Sequence, residues 1–190
     1  MSGIGHNQGP TMEPGFGWRR HAWGKARAEL MPKLPIEVVR LRINRARELG
    51  LDYKTYAGIR AGTGRDVIGF LFSTNALRML NRNLHMPEDR REQLSVMRNC
   101  ARIAVVQPPL DADLVAEAHD TVLEGASPAP LFIHGWDATR TRITHATRLA
   151  QAPASAVLLV GDTVLERTWA QAGRLAGYVP AETFFAGAAR

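Results

Sequence analysis

The stretch VIGFLFSTNALRMLN, residues 67–81, is the apolar centre of the first half of the chain. Val67, Ile68, Phe70, Leu71, Phe72, Leu77, Met79 and Leu80 would cover nearly every side of a helix, and a helix apolar all round is a buried one. A third helix opening near Arg65 and Asp66 is therefore expected here, with the rest of the first half packed around it.

Upstream, Pro32 and Pro35 break the chain ahead of IEVVRLRINRARELG. Ile36, Val39, Ile43 and Ala46 recur at helical spacing and Leu49 extends their face, while Arg40, Arg42, Arg45 and Arg47 fall largely off it. Gly50 stops this first helix in the position a helix C-terminus favours. Asp52 is a natural N-cap for a short second helix through Tyr53, Lys54, Tyr56, Ile59 and Arg60, ended by Gly62-Thr63-Gly64. Downstream, Pro87-Glu88-Asp89 begins a fourth helix, with Leu94 and Met97 facing inward.

After Cys100 the texture changes. RIAVVQ, PLFIHGW and AVLLVGD are short runs rich in Val, Ile and Leu, alternating with helical stretches at 111–124, 138–151 and 163–176. That rhythm calls for parallel strands joined by right-handed crossovers. The expectation is an α/β chain: a leader over 1–17, a basic helical module over 18–100, and a small three-stranded parallel α/β module over 101–190.

Composition narrows the function classes. Hydrophobic residues make up 45% and charged residues 22% of the 190, ordinary values for a folded globular chain. One cysteine, Cys100, excludes an internal disulfide framework and a multi-cysteine zinc site. The apolar runs are too short for a membrane span. The N-terminus has neither the apolar core of a secretory signal nor a glycine after Met1, so a cytoplasmic protein with no membrane insertion is expected. The net charge of +6 is unevenly spread: residues 1–100 hold seventeen Lys and Arg against nine Asp and Glu, and residues 101–190 hold seven against nine. An anionic partner, nucleic acid first, is expected for the basic half.

Several stretches bear on that expectation. In the Trp-rich arm, Trp18 and Trp23 bracket Arg19, Arg20 and His21, an interleaving of rings and guanidinium groups suited to bases and phosphates. A buried arm laid on the core is its structural alternative. LGLDYKTYAGIR, residues 49–60, resembles the turn and recognition helix of transposase-type and repressor-type helix-turn-helix modules. The resemblance implies base contacts from Tyr53, Lys54, Thr55 and Arg60, with Arg40, Arg42, Arg45 and Arg47 near phosphates. A plain helical corner fits the same residues. Gly5-His6-Asn7-Gln8-Gly9-Pro10 resembles the GHNxGP-type leader of small bacterial proteins of unassigned function, and a docking peptide for a protein partner is one reading of it. The glycines of residues 58–66 fail the P-loop spacing and read as turn chemistry.

In the second half, parallel strands would bring Gln107-Pro108-Pro109, His134-Gly135-Trp136-Asp137 and Gly161-Asp162 to one edge, where open α/β sheets bind their ligands. His134 with Asp137 or Asp162 is the candidate catalytic or ligand-binding set. Its structural counterparts are N-caps at Asp137 and Asp162, with a capping box at Thr163-x-x-Glu166. His145 is expected on a solvated face beside Arg140, Arg142 and Arg148. No signature calls for a cofactor or a metal. The apolar terminal segment, with Tyr178, Val179, Phe184 and Phe185, is expected to dock on this chain or on a second copy, a homodimer. The function expected from sequence is a non-enzymatic nucleic-acid-binding or regulatory protein whose α/β half serves self-association or ligand sensing. A small α/β enzyme or nucleotide-binding protein is the alternative, and an adaptor a further one.

Overall fold

The computed structural model describes residues 34–80 and 84–186. By its contacts the chain divides at Val39/Arg40, so residues on both sides of position 100 belong to one unit, Arg40–Arg190.

In chain order the elements are α1 (Ile36–Glu48), α2 (Tyr53–Thr63), β1 (Gly69–Ser73), α3 (Glu88–Val96), β2 (Ala101–Val106), α4 (Ala112–Ala118), β3 (Gly125–Pro128), α5 (Trp136–Leu149), β4 (Val157–Gly161), α6 (Val164–Ala172), β5 (Gly177–Pro180) and α7 (Ala181–Ala186). The five strands form one parallel sheet in the order β3-β2-β1-β4-β5. The α/β class is as expected, but the sheet has five strands and not three.

The largest correction falls on residues 67–81. Their centre, GFLFS, is β1, the middle strand of the sheet, and every one of its residues is buried. A central parallel strand is covered on both faces and so reads as a continuous apolar run, the same signature as a buried helix. Alternation along the strand decides its packing. Phe70 and Phe72 point to one face, where they stack on each other at 5.7 Å and meet Phe184 of α7 at 5.7 and 5.5 Å. Leu71 points to the other face, into the cluster with Ile103, Ile143, Leu159 and Trp169. Gly69 allows close approach, because a Cβ there would lie 3.3 Å from both Ala150 Cβ and Val157 Cγ2.

Two further strands differ from the expectation. PLFIHG is a loop leading into Trp136, the first residue of α5, with Leu131, Phe132 and Ile133 exposed, and the strand lies upstream in GASP. Pro128 and Pro130 lack amide donors and so cannot extend a ladder. GYVP, within the terminal segment, is the edge strand β5, and the Phe184 and Phe185 that follow it are buried in this same chain.

The expected helix ends are in place. Asp52 caps α2 by accepting from Thr55 N–H, and Gly64 closes it in the left-handed region, as Gly50 does after α1. Thr163 and Glu166 form the capping box of α6. Neither Asp137 nor Asp162 is the N-cap expected: Gly135 takes that position in α5, with Asp137 in the first turn, and Thr163 takes it in α6.

Candidate functional site

The chain crosses to one side of β1 through β2 and β3, and to the other through β4 and β5. The two directions part between β1 and β4, and at such a switch point the loops leaving the strand ends diverge and open a crevice. The residues that follow the strands there are polar: Ser73-Thr74-Asn75 at the end of β1, Gln107 after β2, and Asp162-Thr163 after β4.

One buried side chain ties these three ends together. Glu166, in the first turn of α6, is fully buried. Its Oε1 accepts from Asn75 Nδ2 at 3.1 Å and from Gln107 Nε2 at 2.7 Å. Its Oε2 accepts from the backbone N–H of Asp162 at 2.6 Å and of Thr163 at 2.8 Å. A buried carboxylate is tolerated when it is hydrogen-bonded, and four donors occupy the acceptor sites of both oxygens. Glu166 therefore acts as a clamp across the three strand ends. Gly161 makes the space for it, since a Cβ there would stand 2.9 Å from Glu166 Oε2 and 2.7 Å from Tyr178 Cε2.

Around the clamp the hydroxyls of β1 are also engaged. Ser73 Oγ accepts from Ala76 N–H at 3.1 Å and Thr74 Oγ1 from Gln107 N–H at 3.2 Å. Arg78, in a left-handed turn residue at φ 56°, reaches over the β1 end to donate to Asp162 Oδ2 at 2.8 Å, with 44% of its side chain exposed. Arg90 stacks over the Phe185 ring at 3.8 Å, and its buried Nε and Nη1 have no hydrogen-bond partner. Burial lowers its pKa, the Arg78 charge adds to that lowering, and the Asp89 and Asp162 charges oppose it. Tyr178 donates to the Thr163 carbonyl, with its own pKa raised by burial and then by the Glu166 charge.

Of the strand-end set expected from sequence, Asp162 lies at this crevice. His134 and Asp137 follow β3, three strand spacings from β4, about 14 Å at the usual interstrand distance. His134 Nδ1 accepts from Leu131 N–H at 3.1 Å, which closes the β3–α5 loop. No group of three or more His, Cys, Asp or Glu gathers among the described residues to hold a metal. His145 is exposed, with Nδ1 3.2 Å from Ser127 Oγ. Asn75 is not expected at a site from sequence, Gln107 is expected only as part of the strand-end edge, and Glu166 only as a capping residue. The signal was the sudden polarity of Ser-Thr-Asn after GFLF, which marks a strand end once the strand is recognised.

The nucleic-acid candidates fall into three groups. Trp18, Arg19 and Arg20, with the leader, lie outside the described residues. Arg45 is engaged inside the fold: it donates to Asp66 Oδ2 at 3.0 Å, to Glu48 Oε2 at 2.9 Å, and to the carbonyls of Val67 and Asn99. Burial lowers its pKa, but the two carboxylates outweigh burial and raise it. Arg60 lies 3.7 Å from Asp66 Oδ1 and donates to the Tyr56 hydroxyl. Arg40 and Lys54 are exposed, and Tyr53 is half-buried.

Comparison with protein-family models, with curated proteins and with solved structures gave no significant match. No helix among the described residues is long and apolar enough to cross a membrane.

Proposed function

We propose that this chain is a binding protein for a small phosphate-bearing ligand of nucleotide size, held in the crevice between the ends of β1 and β4. The observation that carries this reading is the convergence on Glu166 of Asn75, Gln107 and the amides after β4, at the switch point of a parallel sheet. A clamp of this kind fixes three loops around an opening before any ligand arrives, which lowers the ordering cost of binding. Arg78 is the recognition cation. Asp162 is its partner in the free protein, and a phosphate, which a guanidinium contacts in bidentate fashion, takes that place in the complex. In this reading the role is binding, with Glu166, the one buried carboxylate among the described residues, occupied in holding the loops. Thermal-shift and calorimetric titrations with adenosine monophosphate and with inorganic phosphate test this. Stabilisation is expected in the wild type and its loss in Arg78→Ala, while a nucleotide effect that survives Arg78→Ala and Asn75→Ala together sinks the crevice as the site.

A second reading keeps nucleic acid as partner of the helical part, favoured by the exposed cations Arg47, Lys54 and Arg65 on and after α1 and α2. Anisotropy of a labelled random duplex across a salt series tests it. Affinity falling steeply with salt, and more weakly so in Lys54→Ala, supports phosphate contacts. Absence of binding at low salt retires the reading.

A further inference from the structure

The apolar feature that the crevice does not use lies at the other end of the same sheet edge. The loop between β3 and α5 exposes Phe132 at 83% and Ile133 at 75%, and Trp136, the first residue of α5, is 56% exposed. Immediately beside it is a pocket of about 180 Å³ over the ends of β2 and β3, walled by Val106, Pro108, Ala112, Ala129 and Leu131, with Asp111 and Arg142 on its lining. Three large exposed side chains within five residues make a cluster of the kind that marks an interaction site, unlike scattered single ones. The pocket is open to solvent and has room for about one aromatic ring, with apolar walls and a polar edge formed by Asp111 and Arg142.

We propose that this face joins two copies of the chain about a two-fold axis, with Phe132 of each copy seated in the pocket of the other. A plug and its socket side by side on one surface are what a self-complementary interface requires, because the two-fold operation carries each plug to the opposite socket. The charges agree. The chain as a whole carries +6, which opposes like-to-like approach. This face holds exposed Asp111 and Asp137 against exposed Arg140 and Arg142, and neither arginine has a partner among the described residues. With two acids and two arginines the patch has no net charge, so it escapes that repulsion and offers both signs for pairing between the copies. The aromatic plug is the type of residue that dominates interface energetics. The inference is independent of what binds in the crevice.

Sedimentation velocity of the full chain across a micromolar concentration series tests it. The wild type is expected to dimerise, and Phe132→Asp to weaken the dimer at least roughly tenfold while the monomer keeps its fold by circular dichroism, because the residue is exposed. Ala112→Phe, which fills the socket, is expected to act alike. Mixing the two variants should restore association, since the mixed pair regains one intact plug and socket that neither parent homodimer has. A wild type that stays monomeric throughout the series overturns the proposal, as does a dimer untouched by Phe132→Asp or a mixture that fails to associate. Should Ala112→Phe fail to fold, Arg142→Asp takes its place as the second variant, and a dimer indifferent to it equally overturns the arrangement.

Discussion

Gln107, at the end of β2, donates its side-chain amide to Glu166 Oε1 at 2.7 Å, although β1 lies between β2 and the strand that leads into the helix of Glu166. The bond spans the switch point and is joined there by Asn75 from β1 itself. Replacing Glu166 removes the acceptor for four N–H donors at once. Glu166→Ala is expected to cost about 3–5 kcal/mol, and Glu166→Gln, which turns one acceptor into a donor facing other donors, about 2 kcal/mol. Urea denaturation followed by tryptophan fluorescence measures both, and a Glu166→Gln variant as stable as the wild type would contradict the clamp.

Gly161 tests the same site by shape alone. Its φ is not in the left-handed region, so alanine carries no backbone strain there, yet its Cβ would stand 3.0 Å or less from Glu166 and Tyr178. Gly161→Ala is expected to destabilise the fold by about 1–3 kcal/mol through overpacking and to weaken nucleotide binding in proportion to the displacement of Glu166. Gly62→Ala, inside α2 and with nothing within 4 Å of its Cβ, is the control and is expected neither to destabilise the fold nor to weaken nucleotide binding.

The helical corner is held by Asp66, which accepts from the Tyr56 hydroxyl at 2.7 Å and from Arg45 Nε at 3.0 Å. Burial first, and then the bond to Asp66, raises the Tyr56 pKa above its ordinary 10.0. The fold thus favours the neutral hydroxyl. That contribution is complete below pH 10 and is lost as the pH climbs through the raised value. Tyr56→Phe is expected to cost about 1 kcal/mol at neutral pH and to flatten the alkaline fall in stability. Some fall should remain, because the Tyr178 pKa is raised as well. An alkaline limb identical in the two proteins would contradict the assignment.

Cys100 is the single cysteine, and burial pushes its thiol up to about 11. At pH 8 the folded chain should therefore hold about a hundredfold less thiolate than a cysteine titrating at 9.0. Iodoacetamide labelling followed by mass spectrometry is expected to be slow in buffer and fast in urea. Equal rates would show the thiol to be open.

How far these features can be read from residues depends on which physical signal each one leaves. Asp52, Gly50, Gly64 and the Thr163–Glu166 box are local devices that act within four residues, and they stand where their spacing puts them. β2 and β4 are equally plain, as short apolar runs between helical stretches. β1 is ambiguous because an apolar run buried on both sides has no periodicity to separate strand from helix. Taking it as a helix removes the sheet's central strand, and with it the switch point and the meaning of Ser73-Thr74-Asn75. β3, in GASP, has no strand composition at all and forms because the ladder bonds offered by β2 are available. Glu166 is legible as a capping residue from its own helix, whereas its bonds to Asn75 and Gln107 span 91 and 59 residues and follow only from the strand order.

The most direct test of the account is a titration of isotopically labelled protein with adenosine monophosphate, followed through the amide signals by nuclear magnetic resonance. The account predicts that the side-chain amides of Asn75 and Gln107 and the backbone amides of Asp162 and Thr163 shift together along one saturable curve, and that Arg78→Ala abolishes it. Shifts confined to α1 and α2, or none at millimolar nucleotide, would contradict a ligand site at the switch point.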